Sequence, residues 1–206
     1  TDALRKRIAD TFDATALEDI YLPYKRKRKT RASVAREKGL EPLAELLLKQ
    51  PQENAERAAQ KFISQEVPDT AEALQGARDI IAEWVNEDER SRNLVRGAFR
   101  RQATIRSKVA RGKEEEGAKY SDYFEFEEPL KNCPSHRLLA LRRGEEEGIL
   151  SVYVTPDEEA TVYRLQKQWA NGSGSAAGPV REAVPDSYKR LLTPSLATAF
   201  RHLPTA

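Results

Sequence analysis

Cationic side chains are the residues of this 206-residue chain whose spacing most invites chemistry. Six of the seven residues from 25 to 31 are basic: Lys25, Arg26, Lys27, Arg28, Lys29 and Arg31. From Arg90 to Lys113 there are nine basic residues and no acidic one. Guanidinium and ammonium groups contact phosphates without reading base sequence, and acid-free blocks of this kind are the footprint of a polyanion site. The candidate phosphate contacts are therefore Lys25, Arg26, Lys27, Arg28, Lys29, Arg31, Arg92, Arg96, Arg100, Arg101 and Lys108. Tyr21, Tyr24, Tyr120 and Tyr123 flank charged runs, where they either stack on bases or anchor loops on a core. The competing reading is a solvated face. Acidic residues are close at hand for it: Glu83, Glu87, Asp88 and Glu89 before the long stretch, and Glu114, Glu115 and Glu116 after it.

Other chemistries find little footing. There is no nucleophile elbow, Walker loop or GxGxxG, and the glycines of NGSGSAAG (171–178) have no preceding strand and no following lysine. The carboxylates at 125–128 and 145–147 lie in charged surface context, with no base nearby that is poised near neutrality. Cys133 and His136 would need two further metal ligands, and no spacing supplies them, so His136 is expected as a capping or core residue. A single cysteine excludes an intrachain disulfide, and two histidines exclude a zinc finger. The expectation is a chain without catalytic residues, metal or cofactor. No window approaches about 18 consecutive apolar residues, and no basic segment followed by an apolar one opens the chain. A reduced, cytoplasmic setting without membrane contact is expected. The chain has no methionine, which suggests a piece of something longer.

These cations must be carried by elements, and the elements read as mostly helical. Short helices are expected over 2–12 and over 14–22, the second closed by Pro23. The basic run then forms a loop. A turn of helix over 32–39 ends with Gly39 at C′, and Pro42 opens the next helix. Further helices are expected at 54–64, with Ala58 and Phe62 inward, and at about 70–88, capped by Asp69 or Thr70. The long basic stretch reads as a helix from Glu89 with Val95, Ala98, Gln102, Ile105 and Val109 buried, which places Arg92, Arg96 and Arg100 along one face. Leu138–Leu141 and Ile149–Val154 read as a small β-hairpin around the charged loop RRGEEEG. Thr155, Pro156 and Glu158 read as the capping box of another helix. NGSGSAAG is either a flexible loop or an artificial join, and 179–202 forms a last helix or pair with a kink or restart at Pro194. The fold class expected is mainly α: a multi-helix domain with a helix-turn-helix-like element and one small β-hairpin.

Three ordered segments carry a resemblance. LEDIYLPYKRKRKTRASVAREKGLEPLA (17–44), GKEEEGAKYSDYFEFEEPLKNCPSHRLLALRRGEEEGIL (112–150) and DSYKRLLTPSLATAFR (186–201) resemble signature segments of the bacterial Tex family of transcription accessory proteins. Together they cover about two fifths of the chain, and the spacers fit as well. Asn132-Cys133 stands where the family has an apolar pair, and NGSGSAAG is more linker-like than the family pattern.

The resemblance implies a larger protein, similar to the eukaryotic elongation factor that travels with RNA polymerase. It would add a degenerate RNase H-like domain, helix-hairpin-helix elements and an S1-type RNA-binding domain, all outside this chain. Residues 1–117 would be its N-terminal helical region, with the helix-turn-helix-like element. Residues 118–206 would be a central helical region, with the hairpin at 138–154, leading toward the RNase H-like domain. Two readings follow. In one, the chain binds DNA or RNA independently of sequence, with RNA polymerase or transcription factors as further partners. In the other, it is a scaffold that positions the remaining domains of the polypeptide, its cations paired with carboxylates.

Overall fold

In a computed structural model the described residues are 5, 8–9, 14–24, 29–49, 54–172, 174 and 177–201. The side chains of 14–16, 23 and 198–201 are not among them. The described residues form α1 (Ala14–Tyr21), a 3-10 turn (Leu22–Tyr24), α2 (Arg31–Glu37), α3 (Glu41–Leu48), α4 (Ala55–Gln60), α5 (Thr70–Glu87) and α6 (Glu89–Gln102). There follow β1 (Thr104–Val109), β2 (Glu125–Pro129), α7 (Ser135–Glu146), β3 (Leu150–Thr155), α8 (Glu158–Trp169), α9 (Ala177–Ser187), a π turn (Tyr188–Leu192) and α10 (Thr193–Arg201). The chain is mainly α with a small antiparallel sheet, as its patterning predicts. Of the expected helix over 2–12, Arg5, Ile8 and Ala9 are described; all three are helical and exposed.

Packing divides the chain into two compact units, Thr1–Leu94 with Val162–Leu192, and Val95–Thr161 with Thr193–Ala206. The cuts fall inside α6, inside α8 and between Leu192 and Thr193. The first unit is built around α5. Asp69 accepts the backbone N–H of Glu72 at 2.8 Å and caps it. Its buried stripe, Ala73, Ala77, Ile80, Ile81, Ala82 and Val85, is rich in alanine, which lets α2, α3, α4 and α9 pack closely around one axis. Burying each large aliphatic there contributes roughly 1.5–3 kcal/mol. Ser187 at the end of α9 donates to the Ala82 carbonyl at 2.6 Å and fixes that crossing. Gly39, at φ +75°, ends the α2 turn at the C′ position expected of it, and Pro42 sits in the first turn of α3.

The second unit holds the sheet, in the order β2-β1-β3. Here two expectations are corrected. The basic helix stops at Gln102, and Thr104–Val109 is a strand pairing with both β2 and β3. Ile105 and Val109 are four apart, a spacing that a helix and a strand share. The deciding residue is Ser107, a polar side chain facing inward, whose hydroxyl donates to the Tyr123 carbonyl at 2.6 Å. That inward serine hides the strand's alternation. The expected hairpin at 138–154 is also absent, because Leu138–Leu141 lies in α7 and β3 takes β1 as its partner. RRGEEEG is the end of that helix, not a loop. Gly144 is buried there, and a Cβ on it would come within 2.6 Å of a Leu150 methyl, so only glycine lets α7 lie this close to β3.

The capping box moves as well. Thr155 pairs with Thr104 in the sheet, and Asp157 caps α8 by accepting the Ala160 N–H at 3.0 Å. Pro194 falls in the first turn of α10, the restart expected of it.

Candidate nucleic-acid interface

Lys25, Arg26, Lys27 and Arg28 lie outside the described residues. The end of the same run is well defined. Lys29 and Arg31 are exposed, and Thr30 between them is the N-cap of α2. The Thr30 hydroxyl accepts the Ser33 N–H at 3.0 Å, while the Thr30 N–H donates to the Ser33 hydroxyl at 2.8 Å. The Thr30 hydroxyl also donates to Glu83 Oε1 at 3.2 Å, and Arg36 Nη1 reaches Glu83 Oε2 at 2.5 Å. One buried carboxylate on α5 thus pins the start of α2, and with it the end of the basic run. Burial works to lower the Arg36 pKa, but its bonds to Glu83 and Glu41 outweigh this and hold it above its ordinary value. Upstream of the run, Tyr21 and Tyr24 are 57% and 61% exposed.

The second basic stretch is used differently. Arg92 is buried, its Nε 2.5 Å from Asp19 Oδ1 on α1, in a pair whose side chains are 8% and 1% exposed. Arg96 is equally buried. The expected row of Arg92, Arg96 and Arg100 on one open face is therefore broken, and only Arg100 of the three is exposed. Arg101 is exposed too. Lys108 points to solvent from β1, but its register neighbour on β2 is Glu125. The adjacent pair on that face, Arg106 and Glu127, is joined at 2.8 Å. No local pattern reveals the Arg92 pair, since its members are 73 residues apart.

The remaining candidates are quiet. Glu128 accepts from Arg137 at 3.0 Å. Glu147 pairs with Lys119 at 2.7 Å, and that hydrogen bond holds its carboxyl below the usual range. Burial, with Glu128 adding to it, pushes the Cys133 thiol up to about 11. His136 is exposed in the first turn of α7, and no side chain caps that helix, so it is neither a cap nor a core residue. Tyr120 is buried, and Tyr123 packs edge-on against Phe126 at 5.5 Å.

A polar corner ties α8 to the join of α5 and α6. Trp169 Nε1 donates to Ser91 Oγ at 2.8 Å, and Gln168 Nε2 donates to Asp88 Oδ2 at 2.9 Å. This arrangement holds helices and lacks a histidine base for chemistry.

A family model described as Tex central region-like matches residues 50–195. The chain belongs to the Tex family. Its relatives include Protein YhgF of Escherichia coli strain K12, 47% identical over 161 residues, 77% of this chain and 21% of that protein. The transcriptional accessory protein Tex of Neisseria gonorrhoeae is 42% identical over 169 residues, 82% of this chain and 22% of its own length. The S1 RNA-binding domain-containing protein 1 of Pongo abelii is 29% identical over 220 residues, covering 98% of this chain and 22% of that protein. The chain thus spans about a fifth of the length of the curated Tex relatives it matches. Within the family frame the two basic stretches separate, since 90–113 lies inside the matched central region and 25–31 lies upstream of it. Among the described residues, no helix is long and apolar enough to cross a membrane.

Proposed function

We propose that this chain is a non-catalytic module of a cytoplasmic Tex-type transcription factor that grips nucleic acid through phosphates, independently of sequence. The observation that carries the reading is the pinned end of the basic run. Lys29 and Arg31 are exposed on either side of a threonine held by its own helix and by buried Glu83. A charged run anchored at one end presents its cations with less entropy to lose on binding. Lys25, Arg26, Lys27 and Arg28 extend the contact, and exposed Tyr21 and Tyr24 add faces for stacking. Arg100, Arg101 and Lys108 form a weaker contact of their own. Arg92 and Arg96 serve the fold. The names of the relatives support the reading, one being a transcriptional accessory protein and another containing an S1 RNA-binding domain. RNA polymerase or transcription factors are its further partners.

The test is fluorescence anisotropy with a labelled duplex and a labelled single strand at about 50 and 200 mM salt, the range over which phosphate binding weakens most. Binding at low salt that collapses at high salt supports the reading. Replacing Lys25, Arg26, Lys27 and Arg28 by alanine should then weaken binding alike on all sequences and flatten the salt slope by about 0.9 for each phosphate no longer neutralised. Unchanged affinity in that variant excludes the run.

A second reading, a scaffold for the remaining domains, is favoured by the Arg92–Asp19 and Arg36–Glu83 pairs, which spend cations on joining helices. It is the reading left standing if neither probe binds at low salt.

A further inference from the structure

A cleft of about 430 Å³ lies against α8 and α9, lined by Tyr163, Gln166, Lys167, Ala170, Asn171 and Arg181. Two of these residues are cations and none is a carboxylate. The acid next in sequence, Glu182, is bonded to Arg78 on α5. The two helices are tied across the cleft. Gln166 Nε2 donates to the Arg181 carbonyl at 2.9 Å, and Arg181 Nη2 donates to the Gly172 carbonyl at 2.9 Å. That second bond takes one of the five guanidinium N–H groups and leaves the others for a ligand. Lys167 holds its ammonium 4.7 Å from the centre of the Tyr163 ring, and among the described residues it donates to no acceptor. Tyr163 itself is 57% exposed.

We propose that this cleft seats one nucleotide of a single strand, its phosphate on Lys167 and Arg181 and its base against Tyr163. The inference rests on the nucleic-acid reading above, but on residues other than the run 25–31. Charge selects an anion, because both charged side chains of the lining are cations and no carboxylate of the lining offsets them. The planar guanidinium fork matches a phosphate two oxygens at a time. The tyrosine selects what the anion must carry. An acidic peptide would satisfy the cations and leave the ring in water, whereas a base attached to the phosphate covers it. Stacking of this kind supplies much of single-strand affinity and tolerates any base. The base must be unpaired, since in a duplex each base face is already covered by its neighbours. Asn171 adds both a donor and an acceptor at the rim, so its amide demands no particular base either. The volume falls within the roughly 300–1,000 Å³ of small-ligand sites.

The experiment measures binding of a labelled ten-nucleotide single strand, and of the duplex it forms with its complement, to this 206-residue chain between about 50 and 200 mM salt. Tyr163→Ala should weaken the single strand about tenfold, the loss of one base–aromatic stack, and leave the duplex unchanged. Tyr163→Phe keeps the ring and should bind as the unaltered chain does. Lys167→Gln with Arg181→Gln should lower the single-strand salt slope by about 0.7, one phosphate contact. All three side chains are exposed, so the thermal midpoint should not move in any of these variants. If Tyr163→Ala weakens strand and duplex alike, or neither, the cleft is overturned, and the alanine block at 25–28 still decides the phosphate reading by itself. Failure of both probes to bind the unaltered chain overturns the cleft together with that reading. Adenosine 5′-monophosphate bound as tightly as the strand, and lost in Tyr163→Ala, would make this a site for a free nucleotide and overturn the strand as occupant. A hexaglutamate peptide held by Lys167 and Arg181 with no dependence on Tyr163 would make it a protein site and overturn the proposal.

Discussion

In the run 25–31 the described cations, Lys29 and Arg31, stand exposed around a threonine cap, whereas in the stretch 90–113 Arg92 and Arg96 are buried. Charge density alone does not separate these regions, because both are free of acidic residues. What separates them is the presence of an apolar partner stripe. Residues 25–31 have no apolar residue to pull them inward. Residues 90–102 form an amphipathic helix whose Val95, Ala98 and Phe99 must be buried, and the arginines interleaved with them are carried inside. A buried guanidinium then requires a carboxylate, which Asp19 supplies for Arg92.

The strongest way to break this contrast is to remove a buried cation. Arg92→Ala leaves Asp19 buried without its arginine, and should cost about 3–5 kcal/mol in urea denaturation. Lys29→Ala should move stability by no more than about 0.5 kcal/mol. Equal effects would erase the distinction between the two stretches. Next in size is Gly144→Ala, whose new methyl meets the Leu150 side chain at 2.6 Å and should cost about 1–3 kcal/mol in the same assay. Thr30→Ala removes both the α2 cap and a hydroxyl bond to Glu83, and should cost about 1 kcal/mol. It should also weaken low-salt nucleic-acid binding, because the run loses its anchor.

Smaller still, Arg100→Ala with Arg101→Ala should leave stability within about 0.5 kcal/mol and lower the salt slope of binding by less than the alanine block at 25–28 does. Cys133 adds a test in pH. Its folded pKa is raised, so the buried thiol contributes stability that is fully present below about 9 and lost as pH rises through about 11. Alkylation at pH 8 should therefore be far slower in the native chain than in urea, followed by mass spectrometry. Equal rates would show the thiol to be open to solvent.

Much of the helical frame was legible. Asp69 before an apolar period, Gly39 after one and Pro42 at the start of another are local signals that act within a single turn, and each sits in the structure as the sequence predicts. The two strand differences both arise from ambiguity in period. Ile105 and Val109 fit either repeat, and the short apolar run LLAL fits a helix as well as a strand. What resolves them is the sheet partner: β3 pairs with β1 from 41 or more residues downstream. The candidate site was legible as charge and illegible as exposure. No local signal says that Arg92 meets Asp19, or that Arg36 meets Glu83.

By itself the sequence determined a mainly helical chain, several of its caps and stops, two blocks of cations and its kinship with the Tex family. These are properties of neighbours within a few residues, or of residue order. Only the tertiary structure decided which arginines face water, which strand completes the sheet and which carboxylates hold the buried arginines. Each of those depends on groups brought together from distant parts of the chain, and burial is settled by what packs above a residue and not by its neighbours in sequence.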